Sequence, residues 1–333
     1  MIKIKSPTRI DLSGGTLDCW PLYSFLSGSY TVNLSINIFT CAELEVLKSS
    51  KAVKIHLVDL DYQKSFQDFD EFLSCKDPEL KLVQVITNYF KPSFGFELIT
   101  SSESPVGGGL GGSSSLTISI IKAFLKALNK NMSPHSMVTL AHNLEAEILM
   151  TPTGTQDYYP AVQSGLNIIQ YDHSGFQSKC LKFDNFEFGE KLFLVDTGKA
   201  HHSGLNNWQV IKAAVEKDQK VLKHLENIKV ISEKCVQNIT SNNWNKLSEL
   251  FQQEFNERVG LTAAFTSPEI ESLKTHLLED GADAVKICGA GGGGCVLVVA
   301  DKLKHQQLFK RVEELKFKPI KIKPVFDEEK ENS

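Results

Sequence analysis

The chain has 333 residues, of which 41% are hydrophobic and 23% are charged, as in an ordinary soluble globular protein. The formal net charge of -4 excludes a broad basic surface, and no apolar run reaches the length of a membrane span, so we expect neither a nucleic-acid nor a membrane partner. The seven cysteines show neither C-x-x-C nor zinc-type spacing, which favours reduced thiols in the cytoplasm.

The first half of the chain alternates between strand and helix patterns. Residues 1–4 alternate weakly, and residues 30–47 have apolar side chains at every second position, which is typical of a strand with one buried face. Ser133 followed by Pro134 is a helix start with a cap and a proline in the first turn. These patterns predict strands at 30–47, 51–59 and 94–101, and helices at 80–90, 113–129 and 133–150.

The second half mixes the same two patterns. It begins with a predicted hairpin, and a charged tail at 327–333 is predicted to be disordered. Strands are predicted at 166–171, 178–183, 192–196, 284–287, 295–300 and 318–325, and helices at 205–235, 243–258, 268–279 and 304–315. The alternation predicts an α+β protein, and we place a domain boundary near residue 190, with one domain at 1–190 and another at 191–326.

A glycine-rich loop before the strongest helix is the most informative segment. Glycines let backbone N–H groups converge on an anion, and the start of a helix adds free N–H groups and a favourable dipole. Hydroxyl groups at that helix start can cap the helix or ligate a phosphate-bound magnesium ion. The predicted ATP-binding residues are Pro105, Gly107, Gly108, Gly109, Leu110, Gly111, Gly112, Ser113, Ser114 and Ser115.

Two other phosphate loops and an ordinary flexible loop are the alternatives for this segment. A Walker A loop needs a lysine after the glycines, and none is present. Gly107, Gly109 and Gly112 fit G-x-G-x-x-G, so a dinucleotide enzyme is a competitor. However, the helix after these glycines leads into another helix, whereas a Rossmann unit requires a strand there.

Three segments in this order resemble the GHMP kinases, a family that includes galactokinase, homoserine kinase and mevalonate kinase. They are residues 7–18 (PTRIDLSGGTLD), the glycine loop, and residues 286–295 (KICGAGGGGC). The resemblance spans nearly the whole chain. It implies an N-terminal domain like ribosomal protein S5 domain 2, a ferredoxin-like C-terminal domain, and transfer of the γ-phosphoryl group of ATP to a small-molecule hydroxyl with Mg²⁺.

The resemblance also implies a catalytic centre. Glu145 and Asp157, twelve positions apart, are similar to the galactokinase stretch that holds a magnesium-binding glutamate and a catalytic aspartate. Helical periodicity alone does not separate Glu145 from Glu147, and it is the spacing to Asp157 that favours Glu145. Asp157 is expected to orient or deprotonate the acceptor hydroxyl, with Arg9 beside it. The predicted metal ligands are Glu145 and Ser113, with Ser114 as the alternative hydroxyl.

The acceptor is predicted from the first motif, which departs from galactokinase because the glutamate and histidine of Gly-Glu-His-x-Asp are missing. The sequence RIDLSGG at residues 9–15 is more similar to fucokinases and heptose 7-phosphate kinases. This resemblance implies that the acceptor is a sugar or sugar phosphate, phosphorylated at its anomeric hydroxyl. Residues expected to bind this substrate are Gly15, Thr16, Asp18, Gly291, Gly292 and Gly293.

Several alternatives stay open at this stage. A mevalonate- or homoserine-type kinase and a non-catalytic ligand sensor would share the three motifs. Trp20 and Tyr23 could stack on a sugar or pack in the core, and Tyr158 and Tyr159 carry the same ambiguity. The substrate site could also include His201 and the histidine after it. The protein is expected to be a monomer or a homodimer.

Overall fold

The computed structural model describes residues 1–199, 203–289 and 291–326. The tail predicted at 327–333 lies outside this part of the chain, as do Ala200, both adjacent histidines and Ala290. Two β-sheets, each covered by helices, organise the described residues. No helix among them is long and apolar enough to cross a bilayer.

The first sheet has seven strands in the order β4-β3-β5-β2-β6-β7, with β1 paired to β2. The long strand β2 holds the sheet together because it pairs antiparallel with β1, β5 and β6 along different parts of its length. The strands are β1 (Ile2–Ser13), β2 (Ser29–Leu47), β3 (Val53–Leu57), β4 (Tyr62–Phe66), β5 (Gly95–Ser102), β6 (Leu166–Asp172) and β7 (Gly175–Leu181).

Six helices belong to this half. Ser133 caps α5 by accepting from the backbone N–H of Ser136, as the Ser-Pro start predicts. Apolar faces of α3, α4 and α5 bury against the sheet around Phe96 and Phe124. The helices are α1 (Leu22–Phe25), α2 (Phe69–Ser74), α3 (Lys81–Phe90), α4 (Gly112–Ala127), α5 (Pro134–Leu149) and α6 (Tyr159–Val162).

The second sheet has four antiparallel strands in the order β11-β8-β10-β9. Its strands are β8 (Leu192–Asp196), β9 (Ala284–Ile287), β10 (Cys295–Val299) and β11 (Lys318–Lys321). Its helices are α7 (Ser203–Val215), α8 (Gln219–Thr240), α9 (Leu247–Leu261), α10 (Pro268–Glu279) and α11 (His305–Glu314). The predicted α+β, two-domain class is confirmed, while the boundary near residue 190 stays a prediction.

The secondary structure differs from the sequence expectations in several places. Strand β1 is much longer than the weak alternation at 1–4 suggests, and the sequence patterns do not predict β4 or the short helices α1, α2 and α6. The helix expected at 205–235 is two helices, because Asp218 caps a new one by accepting from the N–H groups of Lys220 and Val221. The last strand stops at Lys321, since the chain then crosses to bond with β2 at Ser35 and Asn37.

The two halves share a core. A cluster of buried apolar side chains contains Ile10 and Leu34 from the first sheet, Leu194 and Leu297 from the second, and Ile231 of α8. Helix α8 therefore covers both sheets. The two halves stabilise each other through this shared apolar contact.

Four charged side chains are buried at the same junction, and we call them the buried charge cluster: Asp11 of β1, Glu254 and Arg258 of α9, and Lys286 of β9. Arg258 Nη1 lies 2.9 Å from Asp11 Oδ2, and Lys286 Nζ lies 2.9 Å from Glu254 Oε2. Lys286 also donates to the carbonyl of Leu12 at 2.9 Å. Two cations and two anions balance, which makes their burial tolerable.

Loss of one member should be costly because the others stay buried. We expect Lys286→Met to lower the free energy of unfolding by roughly 3–5 kcal/mol, since the fully buried Glu254 loses its partner. Urea unfolding followed by circular dichroism measures this change. Lys302→Met is the matched control, because Lys302 pairs with Glu190 on the surface and should cost less than about 1 kcal/mol. Equal losses in the two variants would contradict the assignment.

Candidate active site

A cavity of about 450 Å³ lies where the two halves meet, within the size range of small-ligand sites. The glycine loop 105–112 and the start of α4 form one wall. Residues from β1, α5 and the segment before α6 form a second wall, and Arg258 and Gly289 close it from the other half of the chain. The ionisable residues Arg9, Asp18, Glu145, Asp157 and Arg258 all line this cavity.

The glycine loop presents backbone donors to the cavity. Gly111, with a φ of +69°, precedes the first residue of α4, and the first helical bond runs from Ser115 N to Gly111 O. The N–H groups of Gly112, Ser113 and Ser114 therefore lie ahead of the helical ladder at the positive end of the helix dipole. This arrangement suits a polyphosphate. Helix α5 follows α4, so no βαβ dinucleotide unit is present here.

The third motif packs directly on this loop. Cys295 N donates to the carbonyl of Gly108 at 2.8 Å. A Cβ at Gly289 would lie 2.9 Å from the Cα of Gly109, and its φ of +61° disfavours other residues, so only glycine allows this backbone contact. The two glycine runs are thus in backbone contact.

Hydroxyl groups at the start of α4 meet Glu145. Ser113 Oγ donates to Oε1 at 3.0 Å and Ser114 Oγ to Oε2 at 3.2 Å, while Glu147 is exposed. Burial raises the pKa of Glu145, and the hydroxyl donors oppose that rise. Ser115, included in the predicted loop, points instead to β1, where its hydroxyl bonds to the Ser6 carbonyl. Ser115 lies two residues past Ser113, so about half a turn of helical rotation directs its side chain into the core.

Oxygen ligands of this kind fit a magnesium ion, which takes one or two carboxylates together with substrate phosphates. Glu145, Ser113 and Ser114 supply a carboxylate and two hydroxyls beside the phosphate-binding wall. Among the described residues no group of three His, Cys, Asp or Glu side chains could hold a metal alone. A magnesium ion here would therefore be coordinated by phosphate oxygens of ATP as well as by these side chains.

Arg9 and Asp157 form an ion pair at the centre of the cavity. Arg9 Nε and Nη2 donate to Oδ1 of Asp157 at 2.9 and 2.7 Å. The side chain of Arg9 is 3% exposed and that of Asp157 is 29% exposed, so only the carboxylate faces the cavity freely. Arg9 Nη1 also donates to the carbonyl of Gly109, which connects this ion pair to the glycine loop.

Asp18 is a second buried carboxylate of the cavity. Its Oδ2 accepts from the N–H of Gln156 at 3.1 Å. Burial, followed by the negative charge of Asp157, raises the pKa of Asp18 to about 7. A Cβ at Gly154 would lie 2.0 Å from Oδ2, so this glycine makes the space that Asp18 occupies. Asp18 is one of the residues that the sequence predicts to bind the substrate.

The other residues predicted to bind substrate separate into two groups. Thr16 lines the cavity with Asp18. Gly15 lies behind the wall, because a Cβ there would meet Asp11 Oδ2 and Arg258 Nη1. Gly291 and Gly292 pack against the carbonyls of Phe265 and Ala264, and together with Gly293 they lie outside the described cavity wall. The substrate roles of these four glycines stay predictions, without support from the cavity.

Sequence reasoning missed Arg258, Gly289 and Tyr158. Arg258 donates to Gly289 O at 2.7 Å and so holds the third motif against the cavity. Tyr158 donates its hydroxyl to Oε2 of Glu145. The sequence does carry a signal for Arg258. Glu254 and Arg258 lie four positions apart on the apolar face of a helix, and charged residues on such a face are rarely buried without a partner, which indicates a buried ion pair.

Comparison with known proteins decides the family. Residues 80–165 match the model of the GHMP kinases N terminal domain, and residues 235–315 match that of the GHMP kinases C terminal domain. The chain belongs to the GHMP kinases. As a GHMP kinase it is an ATP-dependent phosphotransferase with an alcohol group as acceptor.

Relatives of this GHMP kinase act on different alcohols. It is 26% identical over 320 residues to a D-glycero-alpha-D-manno-heptose 7-phosphate kinase of Campylobacter jejuni, covering 93% of this chain and 92% of the relative. It is 22% identical over 325 residues to a mevalonate kinase of Methanocaldococcus jannaschii, covering 93% and 95%. The crystal structure of a heptose 1-phosphate kinase from Bacteroides thetaiotaomicron superposes with a TM-score of 0.78 at 18% identity, covering 98% and 97%.

The buried Asp18 makes the stability of this GHMP kinase depend on pH. Its pKa is about 7 in the folded protein and near 3.8 in the unfolded chain, so the folded state binds the extra proton between those values and stability falls as pH rises through them. We expect Asp18→Asn to unfold at about the same urea concentration as wild type at pH 4 and to be more stable by roughly 2–4 kcal/mol at pH 8.

Asp61→Asn is the control, because Asp61 is exposed and its left-handed backbone accepts asparagine. A stability difference between Asp18→Asn and wild type that is the same at both pH values would show that ionisation of Asp18 is not its cause.

Proposed function

We propose that this protein transfers the γ-phosphoryl group of ATP to a hydroxyl, the anomeric one, of a sugar or sugar phosphate. The observation that carries the proposal is the pair of carboxylates, Asp18 and Asp157, which line the same cavity as the glycine loop and the start of α4. Carboxylates accept hydrogen bonds from the several hydroxyls of a sugar. The resemblance of residues 7–18 to heptose and fucose kinases and the heptose kinase relative support it.

The charges of the cavity wall bear on the choice of acceptor. Mevalonate and homoserine each bear a carboxylate, which needs an available cation. Of the described residues lining the cavity, the two arginines are each paired, Arg9 with Asp157 and Arg258 with Asp11. A neutral sugar needs no such cation and avoids repulsion from Asp18 and Asp157, so these charges favour a free sugar over the two acids and also over a sugar phosphate.

The reaction assigns a separate task to each side chain. The hydroxyl oxygen of the acceptor bonds to the γ-phosphorus while the bond from that phosphorus to the β–γ bridging oxygen breaks and ADP leaves. The hydroxyl proton passes to Asp157 through Oδ2, the oxygen that Arg9 does not use. Arg9 keeps that carboxylate oriented and adds positive charge near the transferred group.

The glycine loop and the start of α4 hold the phosphates, and Glu145 with Ser113 or Ser114 holds Mg²⁺. When bound, this ion neutralises charge on the phosphate oxygens. Cytoplasmic location, a monomeric or homodimeric state and the choice between a free sugar and a sugar phosphate stay predictions.

An acceptor panel tests the substrate class. ADP release is measured with free sugars, their phosphates, mevalonate and homoserine under one set of conditions. We expect turnover with at least one reducing sugar or sugar phosphate, and loss of that turnover when its anomeric hydroxyl is methylated, because the acceptor oxygen is then blocked. Faster turnover of mevalonate or homoserine than of every sugar would overturn the sugar assignment.

The role of Asp157 is tested by Asp157→Asn, which keeps the size of the side chain but cannot take a proton. With the best acceptor of the panel we expect kcat to fall by about 10²–10⁴-fold. The thermal shift caused by magnesium and ATP should persist, because the phosphate wall is unchanged. Asp184→Asn, at an exposed loop position, should keep wild-type kcat. Unchanged turnover in Asp157→Asn would refute the mechanism.

A further inference from the structure

Tyr158 is a fully buried residue whose hydroxyl reaches the candidate metal site. Its side chain packs in the first apolar core, and its hydroxyl donates to Oε2 of Glu145. It lies at the end of a 3₁₀ turn, Gln156–Tyr158, directly after Asp157. Nothing in the sequence distinguished its ring from an ordinary core or stacking aromatic residue.

We propose that Tyr158 is a positioning residue for the metal ion: its hydroxyl holds the Glu145 carboxylate in its metal-binding orientation. This inference rests on the proposed function, in which Glu145 binds Mg²⁺. It assigns Tyr158 no contact with substrate or ATP.

Hydrogen bonds hold both oxygens of the Glu145 carboxylate, which is partly buried on the cavity wall. Three hydroxyls donate to it, those of Ser113, Ser114 and Tyr158. Together they restrict the orientation of the side chain, and a carboxylate held in one orientation is a better ligand than a mobile one.

The three hydroxyls are not equivalent. Ser113 and Ser114 are themselves candidate ligands at the start of α4, where their lone pairs are available to a cation. Tyr158 approaches from inside the protein, with a ring fixed by packing, and donates to the same Oε2 as Ser114. It is therefore suited to fix the carboxylate while the serines contact the ion, as outer-shell donors do at metal sites.

The turn gives this contact a further consequence. Gln156 donates its N–H to Asp18, Asp157 pairs with Arg9, and Tyr158 donates to Glu145, so three successive residues each hold one ionisable group of the cavity. Asn33 of β2 fixes the turn by donating to the Gln156 carbonyl at 2.9 Å. The distance between the metal carboxylate and the acceptor carboxylates is thereby set by one short piece of backbone.

Tyr159 provides a matched control within the same segment. It is also buried, and its ring packs edge-on against Phe176 with 6.3 Å between centroids. Among the described contacts, its hydroxyl is associated with Ser178 of β7 rather than with Glu145. Tyr159→Phe therefore removes a buried hydroxyl of the same kind without touching the candidate metal site.

The test is direct binding of Mn²⁺, measured by electron paramagnetic resonance in the presence of a non-hydrolysable ATP analogue. We expect Tyr158→Phe to weaken Mn²⁺ binding by about 10-fold or more. Tyr159→Phe should bind Mn²⁺ within about 2-fold of wild type, because its hydroxyl makes no described contact with Glu145. Glu145→Gln should weaken binding at least as much as Tyr158→Phe. Near-ultraviolet circular dichroism checks the fold of each variant.

The double variant Glu145→Gln/Tyr158→Phe distinguishes positioning from a general structural effect. If Tyr158 acts through Glu145, the double variant binds Mn²⁺ no more weakly than Glu145→Gln alone. Full additivity of the two effects would overturn the proposal. Tyr158→Phe alone leaves the Glu145 carboxylate with one donor fewer, whereas the double variant has no carboxylate there. The comparison of the double variant with Glu145→Gln is therefore still possible if Tyr158→Phe folds poorly.

Failure of this inference and failure of the proposed function give different results. Weak Mn²⁺ binding in Glu145→Gln with normal binding in Tyr158→Phe would overturn the role of Tyr158 alone. Unchanged binding in both would overturn the metal site and, with it, this inference. Coupled weakening in both variants, with no acceptor of the panel turned over, would support the role of Tyr158 and overturn the proposed reaction.

Discussion

The buried charge cluster is the constraint on which the rest of this structure depends. Asp11 belongs to the first sheet, Lys286 to the second and Arg258 to helix α9, yet their charges lie together in one buried junction. Lys286 and Arg258 outweigh the effect of burial and hold the pKa of Asp11 below its ordinary value. Since each charge is tolerable only beside its partners, the cluster fixes how the two halves meet.

That fixed junction defines the shape of the active site. Arg258 donates through Nη1 to Asp11 and through Nη2 to the carbonyl of Gly289. The same guanidinium therefore belongs to the buried charge cluster and positions the third glycine motif. Gly289 then contacts Gly109 of the phosphate loop. On the other side of the loop, Arg9 donates to Gly109 and to Asp157. Two arginines therefore hold the glycine loop from opposite walls of the cavity.

The cavity concentrates negative charge that does not help the protein to fold. Asp18 is buried and Glu145 is partly buried, and the loss of hydration raises the pKa of each above its ordinary value. Neither carboxylate has a described cation as its hydrogen-bond partner; backbone N–H and hydroxyl groups hold them instead. Such groups lower the stability of the empty protein and become favourable when hydroxyls and a cation are bound, as is typical of functional sites.

The sequence by itself determined the family, the α+β class and most of the elements, because glycine runs, caps and apolar periodicity are local properties of the chain. It also identified Glu145, Asp157 and Arg9 as candidates, through motif spacing, and the structure brings them to one cavity. Helical periodicity alone could not choose between Glu145 and Glu147, which the spacing to Asp157 did, and no local pattern separated Ser115 from Ser113. Only the tertiary structure decided which of these side chains are buried, since burial depends on which face of α4 and α5 meets the sheet. The partners of Asp11 and Gly289 were likewise invisible, because Arg258 lies nearly 250 positions from Asp11 in the chain. Long-range charge pairing leaves no local pattern, and it is this pairing that assembles the site.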